Sequence, residues 1–232
     1  MMNNNFKTII SNLKYLSKDV LEITFKITIE EKMCFTPGQF IIVKIDSANS
    51  IMRAYSVLKY DYDKNEITIA VKKVEGGKGT SIIFNSFELG QEIEIMGAMG
   101  DKLIVDKSKK DLVLVATGIG ITPIICILND LVESNYDGNV EFLYGARTKD
   151  ELFYINEITK ASLSNLNINF KAVLSREVTE FSYKGYVTDI LKDMDLNNKH
   201  IYMCSSRAVA SSVKSVLEDK GFDLSSFSCE SA

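Results

Sequence analysis

The spacing of apolar positions changes character near residue 100. Before that point apolar residues come in short runs. From Val20 to Ile29 they alternate, with Leu21, Ile23, Phe25, Ile27 and Ile29 on one face, which predicts a half-buried strand. Phe40 to Ile45, Ile67 to Val71 and Glu92 to Met96 read the same way. Pro37-Gly38, Asp61-Tyr62-Asp63 and Gly76-Gly77 punctuate them as turns. Short strands separated by turn signals predict a small antiparallel barrel. One short helix, Thr80 to Phe87, interrupts the series.

Beyond Asp111 strand-like and helix-like segments alternate. Leu112 to Ala116, Val140 to Tyr144, Ile168 to Leu174, His200 to Cys204 and Ser226 to Cys229 predict strands. Pro123 to Glu133, Asp150 to Ala161, Val187 to Lys192 and Arg207 to Lys220 predict helices. This rhythm implies a parallel sheet covered on both faces. The polar connector Asp106-Lys107-Ser108-Lys109-Lys110-Asp111 suits a boundary, placing one domain at 1–104 and a second at 105–232.

Composition narrows the function by exclusion. The net charge of −4 offers no basic surface for nucleic acid. No stretch approaches the roughly 20 apolar residues of a membrane span. The start, Met1-Met2-Asn3-Asn4-Asn5, lacks the apolar core of a signal peptide. Cys34, Cys126, Cys204 and Cys229 are scattered, with no Cys-x-x-Cys pair for a cluster or structural zinc. Such thiols fit a reducing, cytoplasmic location. Cys34 and Cys126 read as core. A single histidine, His200, argues against a catalytic triad or a His-based metal site.

Three motifs carry chemistry. In Arg53-Ala54-Tyr55-Ser56 the Arg can grip phosphate oxygens, the Tyr can stack, and the Ser can hydrogen-bond a ring nitrogen. Gly76-Gly77-Lys78-Gly79-Thr80 follows a strand and opens a helix, where backbone N–H groups attract anions. Arg53 lies one strand back, so both could meet one diphosphate. Thr117-Gly118-Ile119-Gly120-Ile121-Thr122-Pro123 follows the first strand of the alternating half, as a dinucleotide turn requires. Pro123 stands where a third glycine is common, and the first helical turn tolerates it.

With these motifs in this order, the chain resembles the ferredoxin–NADP reductase superfamily of flavin oxidoreductases over nearly its whole length. Further matches are Tyr144-Gly145-Ala146-Arg147 with Glu151-Leu152-Phe153, Ser175-Arg176, and Lys184-Gly185-Tyr186-Val187. The resemblance implies a two-domain β plus α/β protein. An N-terminal antiparallel β-barrel would hold flavin, and a C-terminal Rossmann-like parallel sheet would hold NADPH or NADH. Arg53, Ala54, Val71 and the Gly77-Lys78-Gly79-Thr80 turn would bind the flavin, with Tyr55 flanking the isoalloxazine and Ser56 near its reactive nitrogen. A diphosphate site fits FAD better than FMN. Thr117, Gly118, Gly120, Ile121, Thr122 and Pro123 would hold the second pyrophosphate, with Gly145 and Arg147 nearby.

Ser175, Arg176, Lys184 and Tyr186 fall where the adenosine ribose would lie. Arg176 suits a 2′-phosphate, and Glu177 beside it suits a free hydroxyl, so both pyridine nucleotides stay open. Cys204-Ser205-Ser206 replaces the family's Cys-Gly-Pro. Cys204 is then either a neighbour of the nicotinamide or a buried thiol. Glu230 matches a carboxylate that relays protons near the flavin. The terminus Ser231-Ala232 lacks the aromatic lid of many members, and Gly97-Ala98-Met99-Gly100 replaces a Gly-Pro-x-Gly segment. The implied reaction passes hydride from nicotinamide to bound FAD and electrons on to a separate redox partner, an electron-carrier protein or redox enzyme. A free-flavin reductase and an electron-transfer subunit of a larger complex are the alternatives.

Overall fold

The structure is a computed structural model that describes residues 5–164 and 167–231. Met1 to Asn4 and the terminal Ala232 lie outside the described residues. The chain divides into two compact units, Met1–Ile104 and Val105–Ala232.

The first unit is a closed antiparallel barrel. Its strands are β1 (Asn5–Ser17), β2 (Val20–Ile27), β3 (Phe40–Asp46), β4 (Ile51–Asp61), β5 (Glu66–Lys72) and β6 (Glu92–Met99), in the order β1-β2-β5-β4-β3-β6. Alternation fills the interior: Ile41 and Val43 of β3, Ile67 and Ile69 of β5 and Ile95 of β6 are fully buried, with Ile45, Val71 and Ile93 nearly so. Helix α1 (Lys78–Ser86) packs against β3 and β4 and adds Ile83 to the same core.

Three expectations change here. β1, the longest strand, escaped the pattern because register shifts at Ile10/Asn12 and Tyr15/Ser17 break its alternation. β2 stops at Ile27, leaving Ile29 37% exposed rather than on the buried face. Cys34 is exposed, not core: Met33 turns inward, and its N–H donates to Tyr60 Oη, which leaves the next side chain outside.

The second unit is a parallel sheet of β7 (Asp111–Thr117), β8 (Asn139–Ala146), β9 (Ile168–Leu174), β10 (Ser182–Lys184), β11 (His200–Ser205) and β12 (Phe227–Ser231), ordered β10-β9-β8-β7-β11-β12. Helices α2 (Ile121–Glu133), α3 (Ile155–Ser164), α4 (Val187–Asp193) and α5 (Arg207–Asp219) connect them. Strand β7 is an unbroken buried run from Leu112 to Ala116, as a strand covered on both faces requires. Val113 and Val115 meet Leu191, Val213 and Leu217 in one core. The helix expected over Asp150 to Ala161 starts later, at Ile155, after a 3-10 turn over Lys149–Glu151. The three-residue edge strand β10 was too short to show a periodic signal. The strand order reverses between β7 and β11, the place where sheets of this kind open a crevice at the carboxyl ends of their strands.

Candidate functional site

In the barrel unit the site grows from β4 and the start of α1. Ladder pairing sets Arg53 opposite Val43, Ala54 opposite Ile42, Tyr55 opposite Ile41 and Ser56 opposite Phe40. Arg53 and Tyr55 therefore share one face of β4, while Ala54 and Ser56 share the other. Arg53 and Ala54 are exposed, whereas Tyr55 and Ser56 are half-buried. Arg53 donates from Nη1 to the Met52 carbonyl at 2.7 Å. Burial pushes the Tyr55 hydroxyl up to about 12, against the opposing pull of the Arg53 charge, so it stays a neutral donor.

The glycine turn meets this arginine directly. A Cβ on Gly79 would sit 3.0 Å from Ile45 Cδ1 and 3.4 Å from Arg53 Cγ, so the helix start lies against the arginine stem. Thr80 Oγ1 accepts the Val74 N–H at 3.1 Å and lies 3.3 Å from the Val74 and Gly77 carbonyls, closing the turn. Gly77 caps α1 without a side-chain hydrogen bond. The first N–H groups of a helix have no partner within it, so Lys78, Gly79 and Thr80 present donors next to the stem of a cationic side chain. That combination fits a diphosphate. Lys78 is exposed, while the Val71 side chain, 1% exposed, belongs to the core and leaves only its backbone for a ligand.

In the sheet unit the expected residues collect at strand ends around the switch point. Gly118, Ile119 and Gly120 form a 3-10 turn after Thr117 and lead into α2, with Ile121, Thr122 and Pro123 buried in its first turn. Gly118 adopts φ +54°, a conformation that favours glycine. Gly120 is needed for a different reason. A Cβ there would fall 2.6 Å from the Cys204 carbonyl carbon and 3.1 Å from Ser205 N, so the turn rests on the backbone of β11. Thr122 Oγ1 donates to the Ile119 carbonyl at 2.9 Å.

Around this turn, Gly145 is the next-to-last residue of β8, and the exposed Arg147 follows the strand, its Nε donating to Glu151 Oε2 at 2.9 Å. Ser175 and the exposed Arg176 follow β9, their N–H groups donating to the Ala146 and Arg147 carbonyls. Glu177 is turned elsewhere: its Oε2 accepts the Lys149 N–H at 2.9 Å. Among the described residues Arg176 pairs with no carboxylate. Lys184 and Tyr186 are exposed, with Tyr186 64% accessible.

Cys204 and Ser205 are fully buried at the end of β11, and Cys204 lies opposite Glu230 in the β11–β12 ladder. Burial, then the charges of Glu230 and Cys229, push the Cys204 thiol up to about 12. It is a neutral thiol rather than a nucleophile. Tyr144, named in the sequence only as part of the Tyr144–Arg147 match, was given no role. Its signal was a phenol in an otherwise apolar buried strand, since a buried hydroxyl requires partners.

Comparison with known proteins accords with this geometry. Residues 7–103 match the oxidoreductase FAD-binding domain, and residues 114–215 match the oxidoreductase NAD-binding domain. The chain belongs to the ferredoxin–NADP reductase superfamily of flavin oxidoreductases. It is an oxidoreductase with one domain of each kind.

The toluate 1,2-dioxygenase electron transfer component of Pseudomonas putida is 22% identical over 96% of this chain and 66% of its own length. The propane 2-monooxygenase reductase component of Rhodococcus jostii is 24% identical over 93% of this chain and 60% of its own. The chain thus spans less than two thirds of these curated relatives. A ferredoxin NADP+ reductase from Neisseria gonorrhoeae, solved with bound FAD and NADP, shares the fold with a TM-score of 0.84 at 19% identity, covering 99% of both chains. No helix among the described residues of this family member is long and apolar enough to cross a membrane.

Proposed function

We propose that this flavin oxidoreductase oxidises NAD(P)H, holds FAD tightly, and passes electrons to a separate redox protein. One observation carries the reading: the glycine turn of α1 lies against the Arg53 stem, so helix N–H groups and a guanidinium serve one diphosphate. A reductase that took free flavin as a substrate would have little use for such a grip.

When both nucleotides are bound, the chemistry they would supply is hydride transfer from nicotinamide to flavin. The protein's own residues bind and orient. Residues 1–104 hold the flavin. Arg53 and the N–H groups of Lys78, Gly79 and Thr80, with the Gly77 turn, hold its diphosphate. Tyr55 flanks the ring, Ser56 hydrogen-bonds near its reactive nitrogen, and Ala54 and the Val71 backbone line the site. Residues 105–232 hold the nicotinamide dinucleotide. The Thr117–Pro123 turn takes the pyrophosphate, helped by Gly145 and Arg147.

Ser175, Arg176, Lys184 and Tyr186 form the adenosine end. Because Glu177 is engaged with Lys149 N–H, Arg176 acts unopposed, and NADPH is the preferred donor, with NADH accepted. Cys204 and Ser205 would border the nicotinamide, where a neutral thiol supplies packing without attacking the ring as a thiolate could. Glu230 relays the proton. The electron acceptor is a protein of the oxygenase-partner kind that the relatives' names describe, and the reaction runs in the cytoplasm.

Gel filtration followed by assay tests this. FAD is expected to stay with the protein, and NADPH oxidation by a one-electron acceptor should need no added flavin. Loss of flavin on the column, with turnover only when free flavin is supplied, contradicts the reading. Arg176→Ala should raise KM for NADPH about tenfold or more and hardly change that for NADH; equal losses would remove it from the 2′-phosphate.

A further inference from the structure

Tyr144 lies near the end of β8 and is fully buried. Its hydroxyl accepts the Phe153 N–H at 3.2 Å. Two carbonyls are also within reach, Gly118 at 3.2 Å and Glu151 at 3.3 Å, and the one proton goes to either. Burial drives this phenol's pKa far upward, so the proton is retained and the group remains a donor.

With the phenol proton directed at the nearer of the two, the Gly118 carbonyl is held twice: it accepts the Ile121 N–H from the 3-10 turn and the Tyr144 hydroxyl from β8, while the phenol oxygen keeps the Phe153 N–H. Two donors use both lone pairs of a carbonyl. The peptide that follows is planar and trans, so fixing the Gly118 oxygen fixes the Ile119 N–H on the opposite edge, pointing away from Tyr144. Gly118 is a glycine at φ +54° with open space where a side chain would be, and an untethered peptide there could turn over. The same hydroxyl reaches the segment that carries the site's arginines. Glu151 accepts the Arg147 N–H at 3.2 Å, and the Arg147 carbonyl accepts the Arg176 N–H at 2.9 Å. One phenol thus links the ends of three strands.

We propose that Tyr144 is a positioning residue for nicotinamide dinucleotide binding. Its hydroxyl fixes the Gly118–Ile119 peptide and ties the pyrophosphate turn to the arginine-bearing segments before the ligand arrives. This rests on the reading of the Gly118–Pro123 turn as a pyrophosphate site. Preorganisation raises affinity by removing an ordering cost at binding. Tyr144 is fully buried and offers no surface to a ligand, so it should matter for capture and little for the hydride step.

The test is Tyr144→Phe in the FAD-loaded full chain, which removes one oxygen and leaves the ring. KM is measured for NADPH and for reduced nicotinamide mononucleotide, which lacks the pyrophosphate and adenosine. The variant should raise KM for NADPH about five- to tenfold, the worth of one hydrogen bond. Its kcat should stay within about twofold, and its KM for the mononucleotide should not move. A variant that melts early is assayed in the cold, below its midpoint, with the flavin spectrum as the check on folding. An unchanged KM for NADPH, or equal losses for both donors, overturns the proposal. If the wild-type protein uses the mononucleotide as well as NADPH, the pyrophosphate reading itself fails, an outcome separate from the other two.

Discussion

The two glycine turns do similar work with different supports. The turn before α1 is closed locally: Thr80, three residues from Gly77, bonds back to Val74 and Gly77. The turn before α2 has a local bond of its own, Thr122 to Ile119, but is also held at long range, by Tyr144 from the neighbouring strand and by the backbone of β11. Their glycines differ accordingly. Gly79 faces movable side chains, the Ile45 tip at Cδ1 and the Arg53 stem at Cγ, whereas Gly120 faces main-chain atoms of Cys204 and Ser205. A glycine set against side chains leaves room to adjust; one set against a sheet's backbone does not.

That contrast ranks the expected effects. Gly120→Ala should be the most damaging, because the added methyl group meets a strand that cannot rotate away. A cost of about 3 kcal/mol is expected, read as a loss of NADPH affinity above about 100-fold with FAD still bound. Wild-type affinity would show that the turn has space the structure denies it. Arg53→Ala comes next. Removing the charged donor should weaken FAD by about tenfold to 100-fold, so the protein emerges from purification largely colourless. Full retention of FAD would refute the phosphate role of Arg53. Gly79→Ala should be milder, weakening FAD by less than about tenfold, since Ile45 and Arg53 can shift by a few tenths of an ångström. A loss as large as that of Gly120→Ala would erase the distinction between the turns.

Much of this contrast was hidden in the linear pattern. The motifs themselves were legible because a glycine-rich turn leaves a compositional mark at fixed positions between a strand and a helix. The barrel and the parallel sheet were legible because alternating and continuous apolar runs differ. What supports each turn was not, since the partner of Gly120 lies more than 80 residues on, and that of Gly118 on another strand. Glu177 shows the same limit. Its place beside Arg176 suggested a ribose contact, yet its carboxylate serves Lys149 N–H. β1 was missed because two bulges hid its alternation.

The smallest effect concerns alkaline stability. Burial raises both the Cys204 thiol and the Tyr55 hydroxyl to about 12. Below about pH 7.5 both groups are protonated whether the chain is folded or not. Between about pH 8 and 12 the unfolded chain releases these protons first, the thiol before the phenol, so it binds fewer of them and stability falls as pH rises. The urea midpoint should decline over that window, and Cys204→Ala should make the decline shallower. A midpoint independent of pH from about 8 to 11 would contradict the burial of these groups.

The central claim, that one chain holds both nucleotides in working order, is tested most directly by an anaerobic spectrum of the purified protein before and after one equivalent of NADPH. The flavin absorbance is expected to be present at the outset and to bleach on mixing, more slowly with NADH. A yellow protein that stays oxidised with both donors would contradict the account.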